Sequence, residues 1–218
     1  MGNKIVVLGA GGHASVLVDI LKQNQHTISG IFSPDIDFVR SALVGIPFFE
    51  NENKIFEEQC NTVSIVNGLG SLPGSNLRTK LYKKFTKQGY SFQQVVSKHA
   101  CISDFAILGK GVQVMPGAII QAGAVIGDNS IINTGAIIEH DCIIGAHNHI
   151  APGATLSGQV KTGDYVHIGT GANIIQCISI GDKAVIGAGA IVTKHVPFAS
   201  TVFGARTVIH NKRLDNES

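Results

Sequence analysis

Residues 120–150 read IQAGAVIGDNSIINTGAIIEHDCIIGAHNHI, and every sixth position of that run is isoleucine: Ile120, Ile126, Ile132, Ile138, Ile144 and Ile150. The spacing extends outward through Val114 and Leu108 on one side and through Leu156, Ile168, Ile174, Ile180, Ile186 and Val192 on the other, with Thr162 the one interruption. A period of six matches neither the turn of an α-helix nor the alternation of a lone strand. It does match a parallel β-helix whose flat faces each consume one hexad. Three faces close one triangular coil, so residues eighteen apart stack on one another. The position four after each inward aliphatic is small or β-branched in most turns, as at Val112, Ala118, Ala124, Ala136, Cys142, Ala154, Ala172, Ala184 and Ala190, which suits a cramped inner corner. Asn148 departs from that pattern. Glycines directly after the inward aliphatic, such as Gly127 and Gly145, are expected at the bends.

Outward from the repeat, the 218 residues suffice for one large or two modest domains, and 44% apolar content with 26 glycines describes a packed, turn-rich chain. A net charge of +2 without any basic run argues against nucleic acid as the main partner, because phosphate tracking needs clustered Lys and Arg. The apolar stretch at residues 5–8 runs at once into Gly9, so it is too short for a secretory segment or a membrane span, and a cytoplasmic location is expected. Cys60, Cys101, Cys142 and Cys177 show no paired spacing and read as buried apolar side chains.

Residues 4–8 (KIVVL) read as a buried parallel strand, 9–12 as a tight turn, and 13–23 as a helix with Val16, Leu17, Ile20 and Leu21 on one face. Strands at 27–32 and 63–66 each end in a polar loop, where open parallel sheets bind ligands. A helix follows at about 76–87 with Leu77, Leu81 and Phe85 on one face, then a short strand at 91–96. This divides the chain into a Rossmann-like βαβαβ unit at 1–96, a repeat domain at 97–196 and a C-terminal tail at 197–218. The first unit is expected to cap one end of the prism, because an open coil presents unpaired backbone groups.

Gly9-Ala10-Gly11-Gly12-His13-Ala14 fits G-x-G-x-x-A between a strand and a helix, where glycines admit a phosphate to the helix N-terminus; a purely structural turn is the other reading. Asp35, about twenty residues on, reads either as a ribose or base contact or as a solvated turn carboxylate. Glu139-His140-Asp141 interrupts the apolar series. With Ile138 inward, His140 and Asp141 fall on a bend and project outward, and an imidazole beside a carboxylate suits a general base. One coil beyond His140 stands Gly158, then Gln176, then Lys194. A glycine over the histidine leaves room for substrate and offers an N–H to a developing oxyanion. The lysine suits a phosphate, or is simply solvated. His149 and His167 also stack, but their column supplies no carboxylate or cysteine, so a contact role is expected rather than a metal site.

The GAGGHA start joined to a hexad repeat bearing Ile138-Glu139-His140-Asp141-Cys142 closely resembles the bacterial sugar O-acyltransferase family typified by sialic acid O-acetyltransferase. That family includes N-acetyltransferases acting on UDP-4-amino-dideoxy sugars and on GDP-perosamine. The resemblance spans essentially the whole chain. It implies an α/β Rossmann-like N-terminal domain followed by a left-handed parallel β-helix, a homotrimer, and acetyl-CoA in the groove between neighbouring prisms. By the same resemblance His140 is the catalytic base with Asp141 behind it, and His149 and Gly158 contact acetyl-CoA. Gly11, Gly12, His13, Asp35, Gly68 and Arg78 hold the nucleotide sugar. Gln176 and Lys194 extend the acetyl-CoA groove on stacking grounds. Two departures stand: Phe203-Gly204-Ala205-Arg206 replaces a glycine-hydrophobic-proline-alanine segment, and the stretch Gly68 to Pro73 is longer than its counterparts.

The expected activity is therefore acetyl-CoA-dependent N-acetylation of a nucleotide-linked 4-amino-4,6-dideoxy sugar, with UDP as the favoured nucleotide, serving surface-glycan or glycoprotein sugar synthesis without a metal. Sialic acid O-acetylation is the alternative within enzymes. A nicotinamide-dependent enzyme would need a second mononucleotide-binding half that the N-terminal part lacks, and a non-catalytic solenoid would leave His140 merely exposed.

Overall fold

The computed structural model describes residues 4–34, 40–57 and 59–204. Asp35 and the chain from Ala205 onward, including Arg206, lie outside the described residues.

The N-terminal unit is a five-stranded, wholly parallel sheet. Its strands are β1 (Lys4–Leu8), β2 (Ile28–Phe32), β3 (Phe48–Phe49), β4 (Val63–Asn67) and β5 (Ser91–Phe92), in the order β3-β2-β1-β4-β5. Alternation along β1 sorts its two faces. Ile5 and Val7 pack with Leu17, Val18, Ile20 and Leu21 of helix α1 (Gly12–Gln23), whereas Val6 and Leu8 join an aromatic cluster of Phe32, Tyr82, Phe85, Tyr90 and Phe92. In α1 Val18 is buried with Leu17, Ile20 and Leu21, whereas Val16, expected on that face, is exposed. A short helix, α2 (Asn53–Phe56), follows β3. Helix α3 (Leu77–Lys87) buries Arg78, Tyr82 and Phe85 and leaves Leu77 exposed.

The expected strand at 91–96 is two strands in different sheets. Ser91–Phe92 closes the N-terminal sheet, while Val95–Val96 pairs with Gln113–Val114 as the first rung of the prism. From there the chain winds a left-handed parallel β-helix of two-residue strands. One face stacks Ile119, Ile137, Thr155, Asn173 and Ile191; a second stacks Val125, Ile143, Lys161 and Ser179; a third stacks Gln113, Ile131, His149, His167 and Val185. These are named below the Ile137, Ile143 and His149 faces. Each register is offset by eighteen residues, and each rung is held by bonds such as Ile137 N–H to Ala154 O at 2.9 Å. The hexad aliphatics fill the interior.

The bends do not fall on the glycines after the inward aliphatics but two residues later, where non-glycine residues also adopt left-handed φ: Asn129 at 57°, Asp141 at 58° and Gln159 at 62°. Gly127 is glycine for a different reason, since a Cβ there would lie 2.6 Å from backbone atoms of Ala146 and Gly145 in the next coil.

The two irregular positions of the repeat satisfy each other. Asn148 is fully buried; its Nδ2 donates to Thr162 Oγ1 at 2.6 Å and to Gly163 O, and its Oδ1 accepts from Val166 N–H at 2.6 Å. Thr162 Oγ1 also accepts from Gly145 N–H at 3.1 Å. A buried amide needs such partners, so the hydroxyl at 162 and the amide at 148 go together.

The N-terminal unit does not cap the prism end. It lies along the His149 face, with Met115 and Ile131 packed into the α1 core, Asn24 Nδ2 donating to Val96 O, and α3 reaching Asp128 and Tyr165. In a triangular prism that face is opposite the edge where the Ile137 and Ile143 faces meet. Among the described residues no helix is long and apolar enough to cross a membrane.

Candidate active site

The left-handed backbone at Asp141 turns that carboxylate back beside His140 on this opposite edge. His140 Nδ1 lies 2.9 Å from Asp141 Oδ2, and both side chains are more than half exposed, at 59% and 58%. An ionised carboxylate only accepts, so the pair keeps its proton on Nδ1 and leaves the Nε2 lone pair open. Nε2 faces Gly158, where a Cβ would lie 2.5 Å from it and 2.7 Å from Cε1. Among the described residues the Gly158 N–H has no backbone acceptor, while its carbonyl accepts from Cys177. An exposed base with its orienting acid thus lies directly over a buried glycine whose N–H has no backbone acceptor, a set suited to proton abstraction and oxyanion binding.

Farther along the edge Gln176 and Lys194 are exposed, and Lys194 lines a cavity of about 370 Å³ with His195, Val196 and Pro197. Cys142 sits inside, its thiol pushed up to about 11 by burial and donating to Ser157 O, which disfavours the thiolate, whereas Cys60, Cys101 and Cys177 are exposed and not buried as expected. Among the described residues no three His, Cys, Asp or Glu side chains converge as metal ligands.

The second constellation lies on the N-terminal unit. A cavity of about 710 Å³ opens at the carboxyl ends of the parallel strands, lined by Gly9, Ala10, Gly11, Phe32, Ser33 and Pro34 together with Glu50, Asn51, Glu52, Leu69, Leu77 and Leu81. Leu77 and Leu81, expected in the helix core, thus form an apolar cavity wall. Of the expected binding residues that are described, only Gly11 is in the lining. Gly12 opens α1 with the Arg40 guanidinium 3.8 Å from where its Cβ would be.

Of three others, Arg78 and His13 serve the junction with the prism and Gly68 packs within the N-terminal unit. Gly68 is pressed against the chain, its Cβ position 2.6 Å from Leu8 O and 2.8 Å from Ala14 Cβ. Arg78 is buried beneath the loop: Nη1 donates to Asn67 O and Leu69 O, and Nε and Nη2 to Asn129 O. Burial lowers it to about 9. His13 turns from the cavity to the prism, where Nε2 meets Gln113 Oε1 at 2.7 Å, and burial together with the Arg78 charge lowers it to about 4.

His149 lies on the flank face, apart from His140 of the same chain. Its Nδ1 donates to Ser71 O at 2.9 Å and its Nε2 accepts from Asn133 Nδ2 at 3.0 Å; burial and the neighbouring His167 lower it to about 4. The sequence reading missed Gln113, Asn129 and Asn133. Gln113, a polar residue between Val95 and Ile131 in its column, was the visible signal.

Residues 4–85 match the PglD N-terminal domain, and 105–139 and 123–158 match the bacterial transferase hexapeptide repeat. A solved structure of a histidine-to-asparagine variant of perosamine N-acetyltransferase from Caulobacter crescentus, in complex with CoA and GDP-perosamine, is 31% identical. The match covers 96% of this chain and 98% of that one with a TM-score of 0.83. The acetyltransferase domain of PglB from Neisseria gonorrhoeae in complex with acetyl coenzyme A is 30% identical over 94% and 97% of the two chains, with a TM-score of 0.82. WeeI from Acinetobacter baumannii is 28% identical over 92% and 96%, with a TM-score of 0.81. No curated protein sequence matches significantly.

Proposed function

The chain belongs to the hexapeptide-repeat sugar acyltransferase family with a PglD-type N-terminal domain, and from that premise we propose that it transfers acetyl from acetyl-CoA to the amine of a nucleotide-linked 4-amino-4,6-dideoxy sugar. UDP is the favoured nucleotide. The observation that carries this reading is Gly158 over His140 Nε2, with Asp141 behind the ring.

His140 Nε2 takes a proton as the amine attacks the acetyl carbonyl, and the Asp141 carboxylate stabilises the imidazolium so formed. The Gly158 N–H donates to the oxyanion. As the C–S bond breaks, the imidazolium returns its proton to the departing thiolate, so acetyl passes directly with no acyl-enzyme. Acetyl-CoA runs along the edge through Gln176 toward Lys194, with the nucleotide in the cavity walled by Gly11, Leu77 and Leu81.

In one chain that cavity and His140 are on opposite sides of the prism, so the sugar reaches His140 of a neighbouring copy in a homotrimer. Aliphatic side chains left uncovered on the outer faces support such assembly, Ile107 at 63% and Ile143 at 47% exposure on one face and Ile191 at 71% on the next. His149, half-buried between the nucleotide unit and the prism with both ring nitrogens bonded, then meets the acetyl-CoA of the adjacent copy's groove through the rest of its ring.

The test is His140→Ala. It should lose most turnover, by at least about 100-fold, while retaining acetyl-CoA affinity, and near-wild-type turnover refutes the mechanism. Competition of UDP against GDP with the acceptor decides the base.

A further inference from the structure

We propose that Gln113 is a positioning residue that locks His13 as a neutral imidazole with its Nδ1 lone pair free, and that this lone pair accepts a hydrogen bond from the sugar of the acceptor. The second half rests on the function proposed above; the first does not.

Gln113 is fully buried in the prism wall, where its column otherwise turns aliphatic at Val95 and Ile131. Its amide orientation is decided by chemistry. The Asn67 carbonyl only accepts, and it stands 2.8 Å from one amide atom, which must be Nε2. Oε1 therefore faces His13 at 2.7 Å, and since an amide oxygen only accepts, the His13 nitrogen there, Nε2, carries the hydrogen. A neutral ring protonated at Nε2 has an unprotonated Nδ1.

The Asn67 carbonyl is itself held by Arg78 Nη1 at 2.9 Å, so the relay is anchored at its far end by a buried guanidinium. The charged group acting on His13 is Arg78, and His149 lies close enough to sense the His13 charge; no carboxylate acts on the ring among the described residues. Positive surroundings and burial both oppose an imidazolium. Among the described residues Nδ1 has no partner, yet it is not a sealed, orphaned atom. His13 stands two residues beyond Gly11 of the cavity wall and close enough to His149 to act on it, so in the function proposed above it lies between the nucleotide cavity and the prism.

The experiment has two arms. In imidazole ¹⁵N NMR of the wild type, His13 should appear as the Nε2–H tautomer and stay neutral to below pH 5; an Nδ1–H tautomer, or titration near 6.5, overturns the relay. In the kinetic arm, Gln113→Glu puts a carboxylate against His13 Nε2 and turns Nδ1 into a donor. With a UDP- or GDP-linked 4-amino-4,6-dideoxyhexose, the KM for that acceptor should rise about 10-fold at pH 7, the worth of one hydrogen bond. The KM for acetyl-CoA should stay within about two-fold, by the same arithmetic. The acceptor kcat/KM should recover as pH rises and the ring deprotonates. A loss shared by both substrates and independent of pH is the mark of a structural role and refutes the proposal. Should Gln113→Glu fail to fold, Gln113→Met, which frees the His13 tautomer, must show mixed tautomers with the same KM split. If the wild type turns over no nucleotide amino sugar, the sugar contact falls with the proposed function while the tautomer result stands alone.

Discussion

Substituting Gly158 by alanine should cripple the site without unsettling the fold. The new Cβ would lie 2.5 Å from His140 Nε2 and 2.7 Å from Cε1, where ordinary contact is about 3.5 Å, so one partner must retreat by about 1 Å. The backbone at Gly158 is not in the left-handed region, and alanine adopts it without strain. The imidazole is the partner that yields, because it hangs from two rotatable bonds and is 59% exposed, whereas the coil is locked by rung bonds such as Gln159 N–H to His140 O. Its retreat pulls Nδ1 from the 2.9 Å contact with Asp141 and removes Nε2 from the attacking amine. Misplacement of a reacting group by about 1 Å costs on the order of 100-fold, so kcat should fall by about that factor with thermal stability close to wild type. Thiol release measures the first and a thermal melt the second. The double variant Gly158→Ala/His140→Ala should be no slower than His140→Ala alone, since the clash has nothing left to displace. A kcat within two-fold of wild type in Gly158→Ala, or a melt lowered with the activity, refutes the reasoning.

If the nucleotide cavity and His140 meet between copies, co-assembling His140→Ala with Gly11→Glu, each inactive alone, should restore about a quarter of wild-type activity. A working interface in a random trimer needs an intact half from each of two chains, and an inactive mixture would place both halves in one chain. Thr162→Val should leave Gly145 N–H and one Asn148 N–H without their acceptor. That costs about 2–4 kcal/mol, read as a melting temperature lower by roughly 5–10 °C with kcat preserved. His13 and His149, lowered from 6.5 to about 4, are neutral when folded but take up protons when unfolded below 6.5. Their stabilisation is therefore complete above pH 6.5 and is lost as pH falls from 6.5 toward 4, by about 2 kcal/mol each at pH 5. Melts between pH 7 and 5 should show this acid-side fall, and a flat profile counts against burial of both rings.

The hexad spacing made the prism legible because burial demands one apolar residue per face, and that demand leaves a fixed period. It also made the His140 edge legible, since stacking by eighteen puts Gly158 over His140 with no further information. What spacing could not show is which side of a loop a residue faces. His13, Gly68 and Arg78 all lie near strand ends where ligands bind in open parallel sheets, yet His13 Nε2 and Arg78 bond across to the prism and Gly68 packs within the N-terminal unit. That junction is formed by residues far apart in sequence, such as Arg78 and Asn129, which no local pattern connects. Thr162 and Asn148 show the same limit from the other direction. Each is an isolated exception in the hexad series, and only the folded coil reveals that one is the partner of the other.

In the proposed mechanism the chemistry belongs to an assembly and not to a chain. A triangular solenoid has three edges, and a unit lying on one face can reach the two edges that bound it but not the third. The N-terminal unit occupies the His149 face, and the base stands on the third edge. The two faces flanking that edge carry the uncovered aliphatics Ile107, Ile143 and Ile191, so the surface that favours association is the surface that adjoins the base. In the proposed trimer, burial of those side chains and completion of the site are one event. In that reading an isolated chain would hold the nucleotide sugar beyond reach of its own His140.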